Sequence, residues 1–241
     1  MLKTTVVGVD LAARPWRPTG VAILVDGKIY TCLLLGDEEI VGFISHHRPD
    51  LVAVDAPLSL PAGRCCLRPD CACRRFGVAR RCDRELVRLG FRVFWTALPS
   101  MVELTRRGMA LAQRLQADGF RVIEVFPGAA QKRLGLPRKQ DSRPELTRRL
   151  VRDWGLILPP DRRPTHDELD AATAAVVGLL YLQGLAEAVG DPAEGQIILP
   201  RPGPIQGGMQ FLGPRPEPAE PGRPTQSPGR MPPPGTGLAE P

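Results

Sequence analysis

Four stretches of the chain carry acidic residues where chemistry can use them. "HDELDAATAA" (residues 166–175) sets Asp167 and Asp170 three apart, and residues at i and i+3 share one face of a helix. An apolar helix that opens on two stacked carboxylates has two explanations. Negative charge complements the positive end of the helix dipole, and Glu168 beside the pair fits that. Alternatively, the pair belongs to an acidic cluster that holds a metal ion. "KTTVVGVD" ends on Asp10 and "DLVAVDA" carries Asp55, each closing a β-branched run that reads as a buried strand. A strand-end aspartate also forms turns. "VIEVF" places Glu124 between apolar neighbours, where a buried carboxylate needs a partner, either an ion or an arginine.

In open α/β sheets functional groups gather at the carboxyl ends of parallel strands. If the strands ending in Asp10 and Asp55 are adjacent and parallel, the two carboxylates meet, and a helix crossing that edge brings Asp167 and Asp170 within reach. Two carboxylates 5 Å apart at an effective dielectric near 20 repel by roughly 3 kcal/mol. Such a cluster either takes up protons or binds cations. Hard oxygen ligands with no His or Cys among them suit Mg2+ or Mn2+. Paired ions held this way activate water and stabilise the leaving oxygen in phosphodiester cleavage.

A second constellation is "GRCCLRPDCACRRFGVARRCDREL", with Cys65, Cys66, Cys71, Cys73 and Cys82. Its C-C-x4-C-x-C-x8-C spacing is not the paired C-x2-C of common zinc sites. Five thiols so close together nevertheless suit one zinc ion or an iron–sulfur cluster. The other reading is a reduced, arginine-rich flap whose thiols are incidental. Its arginines follow Asp55 directly, so a basic flap there guides a phosphate backbone towards the acidic edge.

The elements that must position these residues read as mixed α/β. Strands are expected at residues 3–10, 19–25, 28–35, 50–56 and 120–126, with Asp26-Gly27 turning the hairpin between the second and third. Helices are expected at 37–47, 100–117, 144–154 and 166–188. An antiparallel meander followed by crossover units gives a mixed sheet with helices on its faces. From residue 199 the pattern changes: 13 of the 27 prolines and eight of the 25 glycines lie in 199–241. Such a segment buries too little apolar surface to offset its ordering entropy, so a disordered tail is expected there. The expected organisation is one domain over residues 1–198, with a Cys/Arg-rich insertion at 61–92.

The motifs "GVDLA…TGVAIL", "VAVDAPLSLP", "CDRELVRLG", "EVFPGAA" and "HDELDAATAA", in that order, resemble those of a family of predicted nucleases, domain of unknown function 429, within the ribonuclease H-like superfamily. The resemblance spans about residues 3–200. It implies a ribonuclease H-like fold with a mixed five-stranded sheet of order 3-2-1-4-5. "GVDLA" is also similar to the first acidic strand of Holliday-junction resolvases, and Asp167-x-x-Asp170 to their closing acidic helix. By that likeness Asp10, Asp55, Asp167 and Asp170 are metal ligands, and Glu124 belongs to this family's own pattern. His166, beside them, either relays a proton to the leaving group or caps the helix.

The charge distribution bears on the partner. Net charge is +6, and residues 64–92 carry nine arginines against Asp70, Asp83 and Glu85, a local +6. Residues 132–152 carry eight Lys or Arg against Asp141 and Glu145, again +6, so the rest of the chain is acidic on balance. Arginine outnumbers lysine 28 to 4; a GC-rich genome explains that, but arginine also binds phosphate bidentately. Nucleic acid, DNA or RNA, is the expected partner. Few aromatics accompany the flap (Phe76, Phe91, Phe94, Trp95), so little base stacking is expected. With no signal peptide at the N-terminus and no apolar run near 20 residues, the expectation is a cytoplasmic protein without membrane association. Two other functions compete with a metal-dependent nuclease. A non-catalytic nucleic-acid-binding or regulatory module fits the same residues. An actin-like phosphotransferase normally has a glycine-rich loop after its first aspartate, and "DLAARPWRPTG" has no glycine between Asp10 and Gly20.

Overall fold

The computed structural model describes residues 4–203. Three strands, β1 (Thr5–Asp10), β2 (Thr19–Val25) and β3 (Lys28–Leu34), form the expected antiparallel meander. Asp26 and Gly27 turn between β2 and β3 with φ of 49° and 73°, the two positive values that a tight hairpin matching the strand twist requires. Helix α1 (Gly36–His47) then crosses to β4 (Leu51–Asp55), which runs parallel to β1. A segment without strands follows, holding one 3-10 turn (Ala72–Phe76) and helix α2 (Arg81–Arg88). After it come α3 (Val102–Ala117), β5 (Val122–Val125), α4 (Pro127–Arg133), α5 (Lys139–Trp154), α6 (His166–Leu182), β6 (Ala186–Asp191) and β7 (Gly195–Pro200). No helix among the described residues is long and apolar enough to cross a membrane.

The sheet has seven strands in the order β3-β2-β1-β4-β5-β7-β6, which corrects the expected five. The order 3-2-1-4-5 holds for the first five, and a β6–β7 hairpin extends the edge beyond β5. That hairpin also corrects the helix expected at 166–188. The helix stops at Leu182, because Gly184 turns the chain at φ 73° and the next residues pair with β7. Alanine and glutamate in "AEAVGD" favour helix locally, and pairing along all six residues of β6 overrides that preference. Leu199 and Pro200, placed in the expected tail, belong to β7, and residues 204–241 of that expectation lie outside the described residues.

Strand alternation sorts the core into two layers. Val6, Leu51, Ala53 and Val125 pack on one face against α5 and α6. Val7, Val9, Val52 and Val54 pack on the other face against Ile40 and Ile44 of α1 and Leu111 and Leu115 of α3. Asp10 follows Val6 and Gly8 on the α6 face, and Asp55 follows Leu51 and Ala53 on the same face. Glycine brings α6 unusually near this surface. A methyl group on Gly8 would lie 2.1 Å from the Ala171 carbonyl oxygen, and one on Gly20 would lie 2.2 Å from that of Asp167. On the helix side, one on Gly178 would meet Val6 Cγ1 at 2.6 Å. With alanines at 171, 172, 174 and 175, the helix backbone rests almost directly on β1 and β2.

Candidate metal centre

Asp10 and Asp55 are direct partners in the parallel register of β1 and β4, so two neighbouring strands deliver carboxylates to one point at their carboxyl ends. Asp170, in the second turn of α6, closes the group from above. One carboxylate oxygen from each of the three lies within 4.8 Å of the others. Asp170 is only 6% exposed, whereas Asp10 and Asp55 are half-buried. Gln131 of α4, itself buried, donates its Nε2 hydrogens to Asp170 Oδ1 at 2.9 Å and to Thr173 Oγ1 at 3.2 Å, which fixes the rotamer of Asp170.

The remaining acidic candidates are placed differently. Asp167 is not among the three whose oxygens converge. It shares with Asp10 a cavity of about 380 Å3, bounded by the loop from Leu11 to Arg14, Arg17 and Pro18. His166, the first residue of α6, is exposed. The helix start is capped by another pair. Thr165 accepts from the Glu168 N–H at 3.2 Å, Glu168 Oε2 accepts from the Thr165 N–H at 2.9 Å, and this is a capping box. Arg162 and Thr31 also hold Glu168. Burial works against the Glu168 charge, but the Arg162, Thr165 and Thr31 hydrogen bonds outweigh it and bring its pKa down to about 2. Glu168 therefore answers to the helix terminus, and Asp170 is directed elsewhere.

Glu124 points to the face opposite the three aspartates, alongside Val122, and its partner is an arginine. Arg80, 1% exposed, donates to Glu124 Oε1 at 2.5 Å and Oε2 at 2.7 Å, to Asp83 Oδ1 at 3.0 Å and to Ser59 Oγ at 2.9 Å. Thr96 closes the network onto Asp83 at 2.9 Å. The buried pairs fasten the segment after Asp55 to the end of β5. A cavity of about 310 Å3 lies between this network and the aspartates, lined by Asp55, Asp170, Glu124, Gln131, Arg92, Arg138 and Phe94 among others.

The chain matches the family described as "Protein of unknown function (DUF429)" over residues 8–195. It belongs to that family. Two solved structures are similar at low identity. One is described as "Thermus thermophilus RuvC structure", with 17% identity, a TM-score of 0.42, and coverage of 75% of this chain and 97% of that one. The other is T. thermophilus RuvC in complex with Holliday junction substrate, with 16% identity, the same TM-score, and coverage of 75% and 96%. No curated protein matches the chain.

In this DUF429 chain the cysteines divide. The thiols of Cys65, Cys66, Cys71 and Cys73 lie within 4.8 Å of one another. Cys82 is apart from them, fully buried in the small core formed with Leu86, Val189 and Leu199, which corrects the grouping of five. Arg81 and Cys82 open α2, and the helix turns Cys82 inward because its apolar face with Leu86 packs on β6 and β7. Burial pushes the Cys82 thiol up to about 12, as expected of an inert core cysteine.

Three further residues serve the site without standing out in the sequence. Gln131 orients Asp170 and Arg80 anchors Glu124. Arg107, also buried, donates to the Ala12 carbonyl at 2.6 Å, the Arg14 carbonyl at 3.2 Å and Asp37 Oδ1 at 2.8 Å, thereby tying down the loop after Asp10. Neither Gln131 nor Arg107 carries a signal in the sequence: Gln131 lies in α4, a short helix not expected there, and Arg107 is one of several polar residues of α3.

Proposed function

We propose that the protein is a divalent-metal-dependent nuclease that hydrolyses phosphodiester bonds of nucleic acid. The observation that carries this reading is the convergence of Asp10, Asp55 and Asp170 at the carboxyl ends of parallel strands, within a sheet whose first five strands have the order 3-2-1-4-5. An all-oxygen donor set that draws three carboxylates within 4.8 Å fits Mg2+ or Mn2+. Those ions, when bound, supply Lewis-acid stabilisation of charge on the phosphoryl oxygens and a more acidic water. Asp10, Asp55 and Asp170 would hold the metal, and Asp167, across the cavity it shares with Asp10, is the remaining candidate for a second ion.

The other residues bind and orient. Exposed Arg14 and Arg17 stand on the Asp10 side of the trio, and exposed Arg92 and Arg138 stand on the Asp55–Asp170 side. A phosphate backbone lying across the trio meets cations on both sides, which offsets its repulsion from the carboxylates. Trp16, 69% exposed with Arg14 stacked 5.5 Å from its ring, and Phe94, 73% exposed, offer faces for unpaired bases on the same two sides. His166, exposed beside Asp167, is the candidate for giving a proton to the leaving oxygen. Gln131 and Arg80 act through Asp170 and Glu124 as positioning residues.

The test is a panel of end-labelled single-stranded, duplex and branched DNA and RNA, incubated with magnesium or manganese. Wild-type protein should cleave at least one substrate, and Asp170→Asn should abolish cleavage while leaving the melting temperature nearly unchanged. Equal cleavage by that variant, or none by the wild type on any substrate with either ion, rules the reading out.

A further inference from the structure

We propose that Cys65, Cys66, Cys71 and Cys73 bind a single zinc ion that holds the arginine-rich segment after Asp55 in its fold. The geometry is that of a mononuclear site. Cys65 Sγ lies 3.6 Å from Cys71 Sγ, and Cys66 Sγ lies 3.8 Å from Cys73 Sγ. Four thiolates at about 2.3 Å from one zinc sit at tetrahedral separations of about 3.8 Å. Iron–sulfur clusters spread their thiolates around a larger body than four sulfurs within 4.8 Å can enclose. The distances are also far beyond a disulfide bond of about 2.05 Å.

The segment needs such a tie. Between residues 62 and 77 the only regular structure is the 3-10 turn, and Cys73 is the only buried residue. Sixteen residues with so little apolar burial do not offset their own ordering entropy. Yet they adopt a closed arrangement, in which Arg64 donates to the Cys66 carbonyl at 3.1 Å and to the Gly77 carbonyl at 3.0 Å. The thiols arrive in two pairs, one on each arm of the turn that Pro69 and Asp70 make, so one ion cross-links both arms. Binding releases four thiol protons to solvent and leaves a zinc–tetrathiolate of formal double negative charge. Arg64, Arg68, Arg74 and Arg75, all within the same segment, offset that charge. Cys82 takes no part, because the core of α2, β6 and β7 encloses it.

The experiment uses the full chain, purified without a histidine tag and without chelators. Metal analysis should find about one zinc per chain, retained in Asp170→Asn and Cys82→Ala and lost, to less than a tenth, in Cys66→Ser and Cys73→Ser. Should those serine variants fail to fold, the wild-type chain reloaded with cobalt decides alone. It should show the visible bands of tetrahedral cobalt and intense thiolate-to-cobalt charge transfer. Less than a tenth of an equivalent of zinc in the wild type, iron in its place, an intact mass showing disulfides between the pairs, or cobalt without thiolate bands would each overturn the proposal. None of these readouts depends on cleavage.

Discussion

Two groups of potential metal ligands, each drawn within 4.8 Å, are built in opposite ways. The aspartates come from positions 10, 55 and 170, on two strands and a helix embedded in the main core. The cysteines come from nine consecutive residues of a segment with almost no core of its own. The first group is positioned by folding, since β1, β4 and α6 are packed in the main core. The second is positioned by local chain reversal, and in the zinc proposal the ion supplies the cohesion that packing does not. A catalytic site profits from the first arrangement because its ligands cost no reorganisation when substrate arrives. A structural clip needs only the second.

The largest expected effect breaks the link between the two regions. Replacing Arg80 with Met leaves Glu124 and Asp83 buried without their cation, and should cost about 3–5 kcal/mol in urea denaturation. A loss under 1 kcal/mol would show that the network holds little. Next, Gly8→Ala forces a methyl group against the Ala171 carbonyl and should destabilise the protein by at least about 1–3 kcal/mol. Because α6 must move, cleavage should fall with it, while zinc content stays unchanged; a parallel loss of zinc would mean that the regions are not independent. Gln131→Ala should lower metal affinity or cleavage about 10–100-fold, as loss of an outer partner of a ligating carboxylate does. A metal titration by calorimetry reads the affinity directly.

The smallest effect concerns pH. The Glu168 carboxyl sits at about 2 in the folded chain against an ordinary unfolded value near 4.3, so its stabilisation is full above that value and fades as pH falls towards 2. Arg162 is partly exposed, so solvent screening reduces the contribution to on the order of 1–2 kcal/mol. Thermal melts between pH 5 and 2.5 should show wild type losing that increment relative to Glu168→Gln, and identical pH profiles would refute it.

Asp10, Asp55 and Asp170 were legible because each ends or opens an element whose apolar period is plain, and register then decides whether they meet. The direct pairing of Asp10 with Asp55 is a tertiary fact that no spacing within one strand contains. Glu124 announced its need for a partner, but Arg80, 44 residues away, is identified only by folding. Proximity in sequence misled for Cys82, since it opens α2 and packs with that helix into a separate core. It misled again at β6, where local helix preference yields to pairing with β7. Thr165 and Glu168 carry a legible capping box, which separates the helix-terminus charge from the metal candidate Asp170.

The β6–β7 hairpin has a consequence for synthesis. Glu194, in its turn, accepts from the Ala62 N–H at 2.6 Å and from the Arg81 N–H, and β7 completes the edge beside β5. Asp170 and this clasp both belong to the last part of the described chain. During translation, therefore, the sheet can begin to form from its first strands, but neither the acidic trio nor the docked flap exists until that part has emerged. A chain interrupted earlier carries Asp10 and Asp55 without Asp170, and no assembled acidic centre.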